Sequence, residues 1–288
     1  MARVLVTGGA GFVGSHTVDE LIYQGHDVFV IDNFSTGKRE NLNPKATLFE
    51  KDIRDELDFL PEVDAIIHTA ALARIQPSID DPRESNDVNV QGTLNLMQYA
   101  KDIGAKFIFS SSSSIYGDTL PTKETSLVDP KNPYALQKLT CEKYIKLFRD
   151  LHGLDYVIFR YFNVFGERQI LEGAYAAVVG IFLRQRDQGE KLTITGDGKK
   201  RRDFTYVKDV AKANVMGLKL KRGVYNVGTG HNTSILELAE AIGEYEHIEE
   251  RPGETFATQA DNSKLVAEGW KPTKTIMGWI DEQNNSIS

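Results

Sequence analysis

The chain has a single cysteine, Cys141, among its 288 residues. One cysteine excludes an intramolecular disulfide and a metal site built from cysteines, and it favours a reducing compartment. Long apolar runs are also missing, since no stretch of about 18 consecutive apolar residues occurs. The N-terminus reaches a glycine-rich turn at Gly8 without the apolar core of a signal peptide. We therefore expect a soluble, cytoplasmic protein without a membrane partner.

An excess of positive charge is the third feature that the sequence lacks. Its 34 basic residues stand against 41 acidic residues, which gives a formal net charge of −7 at pH 7. This balance disfavours nucleic acid and anionic membranes as main partners, because both attract basic surfaces. A length of 288 residues allows a large buried core in one or two domains.

A glycine-rich segment stands close to the N-terminus. An apolar run at residues 3–7 is followed by three glycines at three-residue spacing, Gly8, Gly11 and Gly14. Glycines at a strand-to-helix turn let a pyrophosphate approach the backbone, and the helix N-terminus presents free N–H groups to its charge. Asp32, at the end of the next apolar run, can accept hydrogen bonds from a ribose diol and would repel a 2′-phosphate. The pattern predicts an NAD site, while Lys38 and Arg39 leave NADP as an alternative.

Short apolar runs alternate with longer segments of helical periodicity in the first half of the chain. The predicted strands are 3–7, 27–31, 47–50, 65–68, 106–110 and 155–161. The predicted helices are 11–23, 85–101 and 133–150. Strands separated by helices imply parallel crossovers, so we predict an α/β fold with a doubly wound parallel (Rossmann) sheet.

The alternation weakens after Phe162. There we expect a helix near 175–188, strands near 192–195 and 224–227, and helices near 207–220 and 235–243. This pattern predicts a dinucleotide-binding domain at 1–162, to which 207–228 returns. A smaller mixed α/β part at 163–288 is predicted to close over the carboxyl ends of the strands and to bind the substrate.

One tyrosine has a spacing that indicates chemistry. Of the eleven tyrosines only Tyr134 has a lysine four residues later, Lys138, and Asn132 and Pro133 are typical of a helix start just before it. Both side chains then lie on one helix face. A lysine ammonium and a nicotinamide cation would stabilise the phenolate of a group whose ordinary pKa is about 10. Tyr134 could then take a proton from a substrate hydroxyl, although such pairs also occur on solvated helices.

Several further motifs occur in a fixed order along the chain. They are Thr-Gly-Gly-Ala-Gly-Phe-Val-Gly at 7–14, Ile-Asp-Asn at 31–33, His-Thr-Ala-Ala at 68–71, the serine run 110–114 before Tyr-Gly at 116–117, Asn-Pro-Tyr at 132–134, Arg-Tyr-Phe-Asn at 160–163 and Arg-Asp-Phe at 202–204. Together they resemble the extended short-chain dehydrogenase/reductases. Within these, the chain is most similar to the nucleotide-sugar epimerases typified by UDP-glucose 4-epimerase.

The resemblance implies a role for individual residues and no metal. The implied catalytic residues are Ser112, Tyr134 and Lys138. The implied NAD-binding residues are Gly8, Gly11, Phe12, Val13, Gly14, Asp32, Asn33, Lys38, Asp52, Ile53, Ala70, Ala71, Asn89, Tyr134, Lys138 and Tyr161. The residues implied to bind the nucleotide-sugar substrate are Ser112, Tyr134, Asn163, Arg202, Arg251 and Thr258.

The implied activity is epimerisation of a UDP-hexose at C4, by transient oxidation and hydride return to the opposite face of the sugar. UDP-glucose and UDP-galactose are the expected pair. The small Thr258, at the position beside the C2 substituent in similar enzymes, suggests that N-acetylated sugars also fit. Ala73 replaces a lysine that is common in related epimerases, so one cofactor contact is expected to be missing. A homodimer through helices 85–101 and 133–150 is implied as well.

The serine run distinguishes the expected epimerisation from the dehydration and decarboxylation that similar enzymes catalyse. Sugar 4,6-dehydratases carry an acid and a base where Ser113 and Ser114 stand, and the similar decarboxylases carry a glutamate at the place of Ser114. Elimination therefore has no obvious proton donor or acceptor here. Another nucleotide-sugar modification remains open, such as epimerisation of a uronic acid or of a GDP- or dTDP-sugar, or a net reduction. A non-catalytic NAD-sensing protein is a further alternative, which the pair Tyr134 and Lys138 disfavours.

Overall fold

The structure is a computed structural model that describes residues 1–250 and 255–285. Its strands are β1 (Arg3–Thr7), β2 (Asp27–Asp32), β3 (Thr47–Glu50), β4 (Ala65–His68), β5 (Lys106–Ser112), β6 (Tyr156–Tyr161), β7 (Val164–Phe165), β8 (Leu192–Thr195), β9 (Arg201–Arg202), β10 (Thr205–Tyr206), β11 (Gly223–Val227), β12 (Thr233–Ser234) and β13 (Tyr245–Ile248). Its α-helices are α1 (Phe12–Tyr23), α2 (Ile75–Asp80), α3 (Pro82–Asn86), α4 (Gly92–Ile103), α5 (Pro133–His152), α6 (Val178–Asp187), α7 (Val207–Met216), α8 (Ile235–Ile242), α9 (Ser263–Ala267) and α10 (Ile276–Asn285).

Seven strands form one sheet in the order β11-β6-β5-β4-β1-β2-β3. Every neighbouring pair in it is parallel. The predicted doubly wound α/β fold is therefore confirmed. The chain order reverses between β1 and β4, and open α/β sheets bind ligands at the carboxyl ends of the strands on either side of such a reversal.

Apolar side chains cover both faces of this sheet. Val18 of α1 and Val210 of α7 are buried in a cluster against one face. Met97 of α4 and Ile145 of α5 belong to the cluster on the other face. A third cluster, which contains Phe182 of α6, joins the helices and strands of the C-terminal part. These helices are thus held against the sheet by burial of their apolar faces. Such burial is the main favourable contribution to the free energy of folding.

Strand β11 returns to the main sheet late in the chain. It pairs with β6, so that Val227 lies opposite Tyr161. Helix α7, which precedes it, packs on the same face as α1. The division of the chain at residue 162, with 207–228 returning to the first domain, stays a prediction.

The serine run continues β5 beyond residue 110, where the sequence predicts its end. Ser111 and Ser112 pair with Arg160 and Tyr161 of β6. The hydroxyl of Ser111 donates a hydrogen bond to the buried carboxylate of Glu142. Because this partner satisfies the polar group, serine is tolerated inside a strand of the core.

The helix predicted over 85–101 is divided into segments. Pro82–Asn86 is α-helical, Asp87–Gln91 forms a π-helical turn, and Gly92–Ile103 is α-helical again. Such π turns are rare and are frequent at functional sites. The buried Asn89 lies in this turn and exchanges two hydrogen bonds with the backbone of Leu72.

Other boundaries also differ from the sequence-based prediction. The helix predicted over 175–188 begins at Val178, because Ala177 is extended. The helix predicted over 207–220 ends at Met216. Helix α2 was not predicted, since Pro77 interrupts its short pattern, and the exposed strand β13 lacks apolar alternation.

A buried ion pair ties α5 to β6. Arg160 Nη2 lies 2.7 Å from Glu142 Oε2, and the two side chains are 3% and 0% exposed. Arg160 Nη1 also donates to Tyr116 Oη at 2.8 Å. Removing two charges from water is costly, so each charge depends on the other. The pair fixes the position of α5 relative to the sheet.

We expect Glu142→Gln to destabilise the fold strongly, because it keeps the side-chain volume but leaves the Arg160 charge buried without a counter-charge. Breaking a buried pair from one side costs about 3–5 kcal/mol, which for a chain of this size lowers the thermal midpoint by roughly 5–15 °C. Differential scanning calorimetry measures the thermal midpoint of unfolding. As a control, Glu50→Gln breaks the exposed pair with Arg39 and should cost no more than about 1 kcal/mol. Equal midpoints for both variants would contradict the role of the buried pair.

Candidate active site

A cavity of about 610 Å³ runs along the carboxyl ends of the central strands. This volume lies within the range of about 300–1,000 Å³ that is typical of ligand pockets. Gly8 after β1, Asp32 of β2 and Ala70 after β4 line it from the sheet side, and Phe182 and Arg202 line it from the C-terminal part. The cavity therefore lies at the reversal of strand order, with the C-terminal part as its second wall.

The glycine turn forms one end of this cavity. Gly8 has a φ of +68°, and a Cβ on Gly14 would overlap the carbonyl oxygen of Gly8. Helix α1 begins at Phe12 with Gly11 as its N-cap, so no side chain caps the first turn. Phe12, Val13 and the glycines line the cavity. An uncapped helix N-terminus attracts anions, and the turn therefore fits the pyrophosphate of a dinucleotide.

Asp32 lies at the end of β2 and is nearly buried. Its carboxylate accepts hydrogen bonds from the N–H groups of Ala10 at 2.9 Å and Phe34 at 2.8 Å. Burial raises the pKa of Asp32, and these two hydrogen bonds lower it in part. Each carboxylate oxygen has a second lone pair, so Asp32 can still accept a ribose hydroxyl. The negative charge of this carboxylate would repel a phosphate group on the ribose.

Four of the five residues that the resemblance places near the adenosine line the cavity, Asp32 among them. Asn33 Nδ2 donates to Asp52 at 2.8 Å, and hydrogen bonds from Arg54 lower the pKa of Asp52. Asn33, Asp52 and Ile53 all belong to the wall. The side chain of Lys38 is 65% exposed and is not among the residues that line the cavity.

The loop after β4 lies directly beside the glycine turn, where a Cβ on Gly8 would come within 2.8 Å of Ala70 Cα. Ala70 and Ala71 line the cavity directly. Asn89 is buried behind them, accepting a hydrogen bond from Leu72 N at 2.8 Å and donating one to Leu72 O at 3.1 Å. Asn89 therefore shapes the loop from behind and does not line the cavity.

The tyrosine, serine and lysine predicted to do the chemistry are brought together. Tyr134 and Ser112 line the same cavity, and the Ser112 hydroxyl is near enough to the phenol to lower the pKa of Tyr134. Lys138 is buried one turn further along α5, with Nζ donating to Ser110 O at 2.9 Å. Nζ lies 6.0 Å from the centre of the Tyr134 ring. Lys138 thus stands behind the cavity wall, within electrostatic range of the phenol.

Burial shifts the pKa of both Tyr134 and Lys138, in opposite directions. It raises the pKa of Tyr134, whereas the nearby hydroxyl of Ser112 and the positive charge of Arg74 lower it in part. Burial lowers the pKa of Lys138 to about 8. At neutral pH Lys138 still carries a proton on most molecules, so a positive charge stands near the phenol. The arrangement can exchange a proton between Tyr134 and a hydroxyl in the cavity.

Tyr161, at the end of β6, is held by a buried network. Its Oη is 2.8 Å from Ser110 Oγ and donates to Asn214 Oδ1 at 2.5 Å. Asn214 Nδ2 donates in turn to Thr17 Oγ1 at 2.9 Å. Burial raises the pKa of Tyr161, so the phenol stays neutral. Tyr161 lines the cavity and is fixed from two helices and a strand.

Three of the residues implied to bind the substrate line the same cavity as Tyr134. Asn163 Nδ2 donates to Thr258 Oγ1 at 3.0 Å and to Asp203 O at 3.1 Å. Thr258 Oγ1 also accepts from Asp203 N at 3.2 Å. Asn163, Thr258 and Arg202 line the cavity. Arg251 lies outside the described residues.

Sequence reasoning missed several wall residues. These include Arg74, Lys200, Phe204 and Ile235, and the segment 174–179 at the start of α6. Arg74 follows directly on Ala73, the position that holds a lysine in related epimerases. The local pattern indicates only this missing lysine, and nothing in it indicates that the arginine enters the cavity.

Two negative observations apply to residues 1–250 and 255–285. Over those ranges, no group of three or more His, Cys, Asp or Glu side chains is arranged to hold a metal ion. No helix there is both long enough and apolar enough to cross a membrane.

Comparison with known proteins agrees with this geometry. The NAD-dependent epimerase/dehydratase family matches residues 4–228. A putative UDP-glucose 4-epimerase of Methanocaldococcus jannaschii is 40% identical over 305 aligned positions, which span 98% of this chain and 100% of the relative. The match thus covers the glycine turn, the catalytic candidates and the C-terminal part.

Two solved structures are also similar. UDP-glucose 4-epimerase from Thermotoga maritima, in complex with UDP-glucose, has 35% identity and a TM-score of 0.94, with 99% of this chain and 100% of the other covered. UDP-N-acetylglucosamine 4-epimerase from Methanobrevibacter ruminantium, in complex with UDP-N-acetylmuramic acid, has 41% identity and a TM-score of 0.90, with 94% and 93% covered. These findings confirm the resemblance and the cofactor that the sequence indicated. The chain belongs to the NAD-dependent epimerase/dehydratase family, as an enzyme of the epimerase type whose cofactor is NAD.

Proposed function

We propose that the protein epimerises a UDP-hexose at C4, with NAD as its cofactor. The observation that carries this proposal is the closeness of Tyr134 and Ser112 in one cavity, which the glycine turn and Asn163 also line. A sugar whose nucleotide reaches Asn163 would present its ring to Tyr134. The names of the similar proteins, UDP-glucose 4-epimerase and UDP-N-acetylglucosamine 4-epimerase, support UDP as the nucleotide.

In this mechanism Tyr134 is the base that takes the proton of the C4 hydroxyl. Ser112, whose hydroxyl lies near the phenol, assists Tyr134, and the ammonium of Lys138 favours the phenolate. NAD, when bound, supplies the nicotinamide carbon that accepts the C4 hydride and returns it. Tyr134 then returns the proton to the C4 oxygen once the sugar presents its other face. The protonation state of Tyr134 is the same at the start and the end.

Epimerisation needs firm binding of the diphosphate and loose binding of the hexose, since a tightly held ring could not present both faces. Asn163 and Arg202, together with Arg251, are the residues that we propose for the diphosphate. The hydrogen bonds of Asn163 to Thr258 and to the backbone of Asp203 hold its amide in place. The ring itself would meet the small side chain of Ser112.

The wall beside Tyr134 argues against elimination. Ser113 and Ser114 stand next to Ser112, and the Ser114 hydroxyl donates to Ser112 Oγ at 2.9 Å. A hydroxyl is far too weak an acid and base to replace a carboxylate pair in water elimination. Oxidation and reduction at one carbon require only the Tyr134 proton exchange.

We further propose that the protein is a cytoplasmic homodimer that assembles through α4 and α5. Helix α5 carries a stripe of exposed apolar side chains on one face: Leu136 at 55%, Tyr144 at 37%, Leu147 at 48% and Leu151 at 66% exposure. Their spacing places them along one line of the helix. A second copy would cover this apolar face, since monomeric proteins rarely expose contiguous patches of this kind.

We expect Tyr134→Phe to reduce turnover by about 10²–10⁴-fold, the usual contribution of a positioned base, while NAD stays bound. Chromatography of UDP-glucose and UDP-galactose measures turnover, and NAD released on denaturation measures cofactor content. Tyr144→Phe is the matched control, because Tyr144 is on the same helix but 37% exposed. Normal turnover by Tyr134→Phe would exclude the proposed base.

We also expect the protein to interconvert UDP-N-acetylglucosamine and UDP-N-acetylgalactosamine, with kcat/KM within about tenfold of that for UDP-glucose. The reason is the small side chain of Thr258 at the cavity wall. Thr258→Tyr should lower the rate with the N-acetylated sugar, whereas Thr258→Ser, which keeps the hydroxyl that binds Asn163, should not. Turnover of the unacetylated sugar alone would contradict this expectation.

The dimer is tested by a double substitution, Leu147→Asp with Leu151→Asp. Two carboxylates on the apolar stripe would be buried on association, which is costly, so we expect a dimeric wild type and a monomeric variant. Size-exclusion chromatography with light scattering measures the mass. Leu127→Asp is the control, because Leu127 is 85% exposed and does not lie on α5. A wild type that is monomeric at micromolar concentration would rule out this interface.

A further inference from the structure

Arg74 enters the cavity at the end that holds Tyr134. It lies in the loop between β4 and α2, and it lines the cavity together with Tyr134 and Ser112. Its positive charge is close enough to the phenol to lower the pKa of Tyr134. The guanidinium therefore stands where the proposed hexose would be bound.

The hydrogen bonds of Arg74 go to neutral groups. Nε donates to Tyr175 O at 2.5 Å, and Nη1 donates to Ala73 O at 3.2 Å. None of the carboxylates in residues 1–250 and 255–285 forms an ion pair with Arg74, and Nη2 has no hydrogen-bond acceptor among those residues. Arg54, in the same cavity, pairs instead with Asp52, at 3.0 Å, and with two further acids. Arg74 thus brings an uncompensated charge to the wall.

The acidic residues of the cavity wall lie elsewhere. Asp32 is bonded to the N–H groups of Ala10 and Phe34, and Asp52 and Glu84 are bonded to Arg54. Arg74 is partly buried, and this burial lowers the pKa of its guanidinium. A partly desolvated cation that has no counter-ion among the described residues is stabilised by an anionic group of a ligand.

We propose that Arg74 binds a carboxylate on the sugar, so that the substrate is a nucleotide-linked hexuronic acid. In such a sugar the carboxylate is attached to C5, the carbon next to C4, and it would lie close to Arg74 while the C4 hydroxyl contacts Tyr134. A guanidinium matches a carboxylate with two parallel hydrogen bonds, and Nη2 is placed to supply one. This inference rests on the proposed C4 epimerisation and narrows the class of hexose.

The test compares UDP-glucuronate with UDP-glucose, two substrates that differ only in the group on C5. For the wild type we expect kcat/KM for UDP-glucuronate to be at least about tenfold higher, and Arg74→Gln to lower it by about 10–100-fold, as for loss of a charged hydrogen bond. The rate with UDP-glucose should fall by a clearly smaller factor, because Arg74→Gln also removes a positive charge near Tyr134. Arg74→Lys keeps the charge but loses the planar fork, so it should retain part of the preference.

Arg54→Gln is the matched control, because Arg54 lines the same cavity but is already neutralised by acids. It should affect both substrates alike. Calorimetric titration in the Tyr134→Phe background separates binding from chemistry, and there Arg74→Gln should weaken UDP-glucuronate and leave UDP-glucose unchanged. Circular dichroism and bound NAD check folding, and Arg74→Lys provides the comparison if Arg74→Gln does not fold.

The outcomes distinguish the two proposals. If neither sugar is interconverted at C4, the proposed function itself fails. If UDP-glucose is the better substrate and Arg74→Gln lowers both rates equally, C4 epimerisation stands and the carboxylate assignment is overturned. In that case Arg74 acts on the phenol of Tyr134, or it contacts a portion of the nucleotide sugar that UDP-glucose and UDP-glucuronate have in common.

Discussion

A buried ammonium group needs a hydrogen-bond partner, and in this protein Lys138 has one on the backbone of β5. Nζ donates to the carbonyl of Ser110 and lies 4.8 Å from the ring centre of Phe109. If α5 rotated or slid along the sheet, the charge would be buried without a partner, at a cost of several kcal/mol. Tyr134, one turn earlier on the same helix, is thereby held beside Ser112. The position of the phenol thus depends on a lysine that does not line the cavity.

A second layer of polar contacts supports this arrangement from behind. Arg160 joins Glu142 of α5 to Tyr116, whose hydroxyl donates to Asn226 Oδ1 at 2.7 Å on β11. Ser111 of β5 donates to the same glutamate. Because the charges and hydroxyls in this network have partners, it can remain polar inside the core. The strand and the helix that carry Ser112 and Tyr134 are therefore joined by specific bonds as well as by apolar packing.

Local sequence rules predicted the strands and helices that a strong pattern marks, and they failed where tertiary contacts overrode the pattern. The polar serine run suggested that β5 ends at residue 110, but pairing with β6 and the carboxylate of Glu142 extend the strand to Ser112. The predicted helix 85–101 contains a π turn, in which Asn89 reaches the backbone of Leu72. Such contacts join residues distant in sequence, so no window of neighbouring residues reveals them.

The sequence by itself determined the α/β fold, the glycine turn with Asp32 and the pair Tyr134 and Lys138, because these features depend on periodicity and spacing within single segments. Only the tertiary structure decided which of the implied residues line the cavity. It placed Lys138 and Asn89 behind the wall, and it brought Arg74 into the cavity with no acidic partner in residues 1–250 and 255–285. Charge compensation depends on every group that folding brings near, and it therefore cannot be read from the residue and its neighbours in the chain.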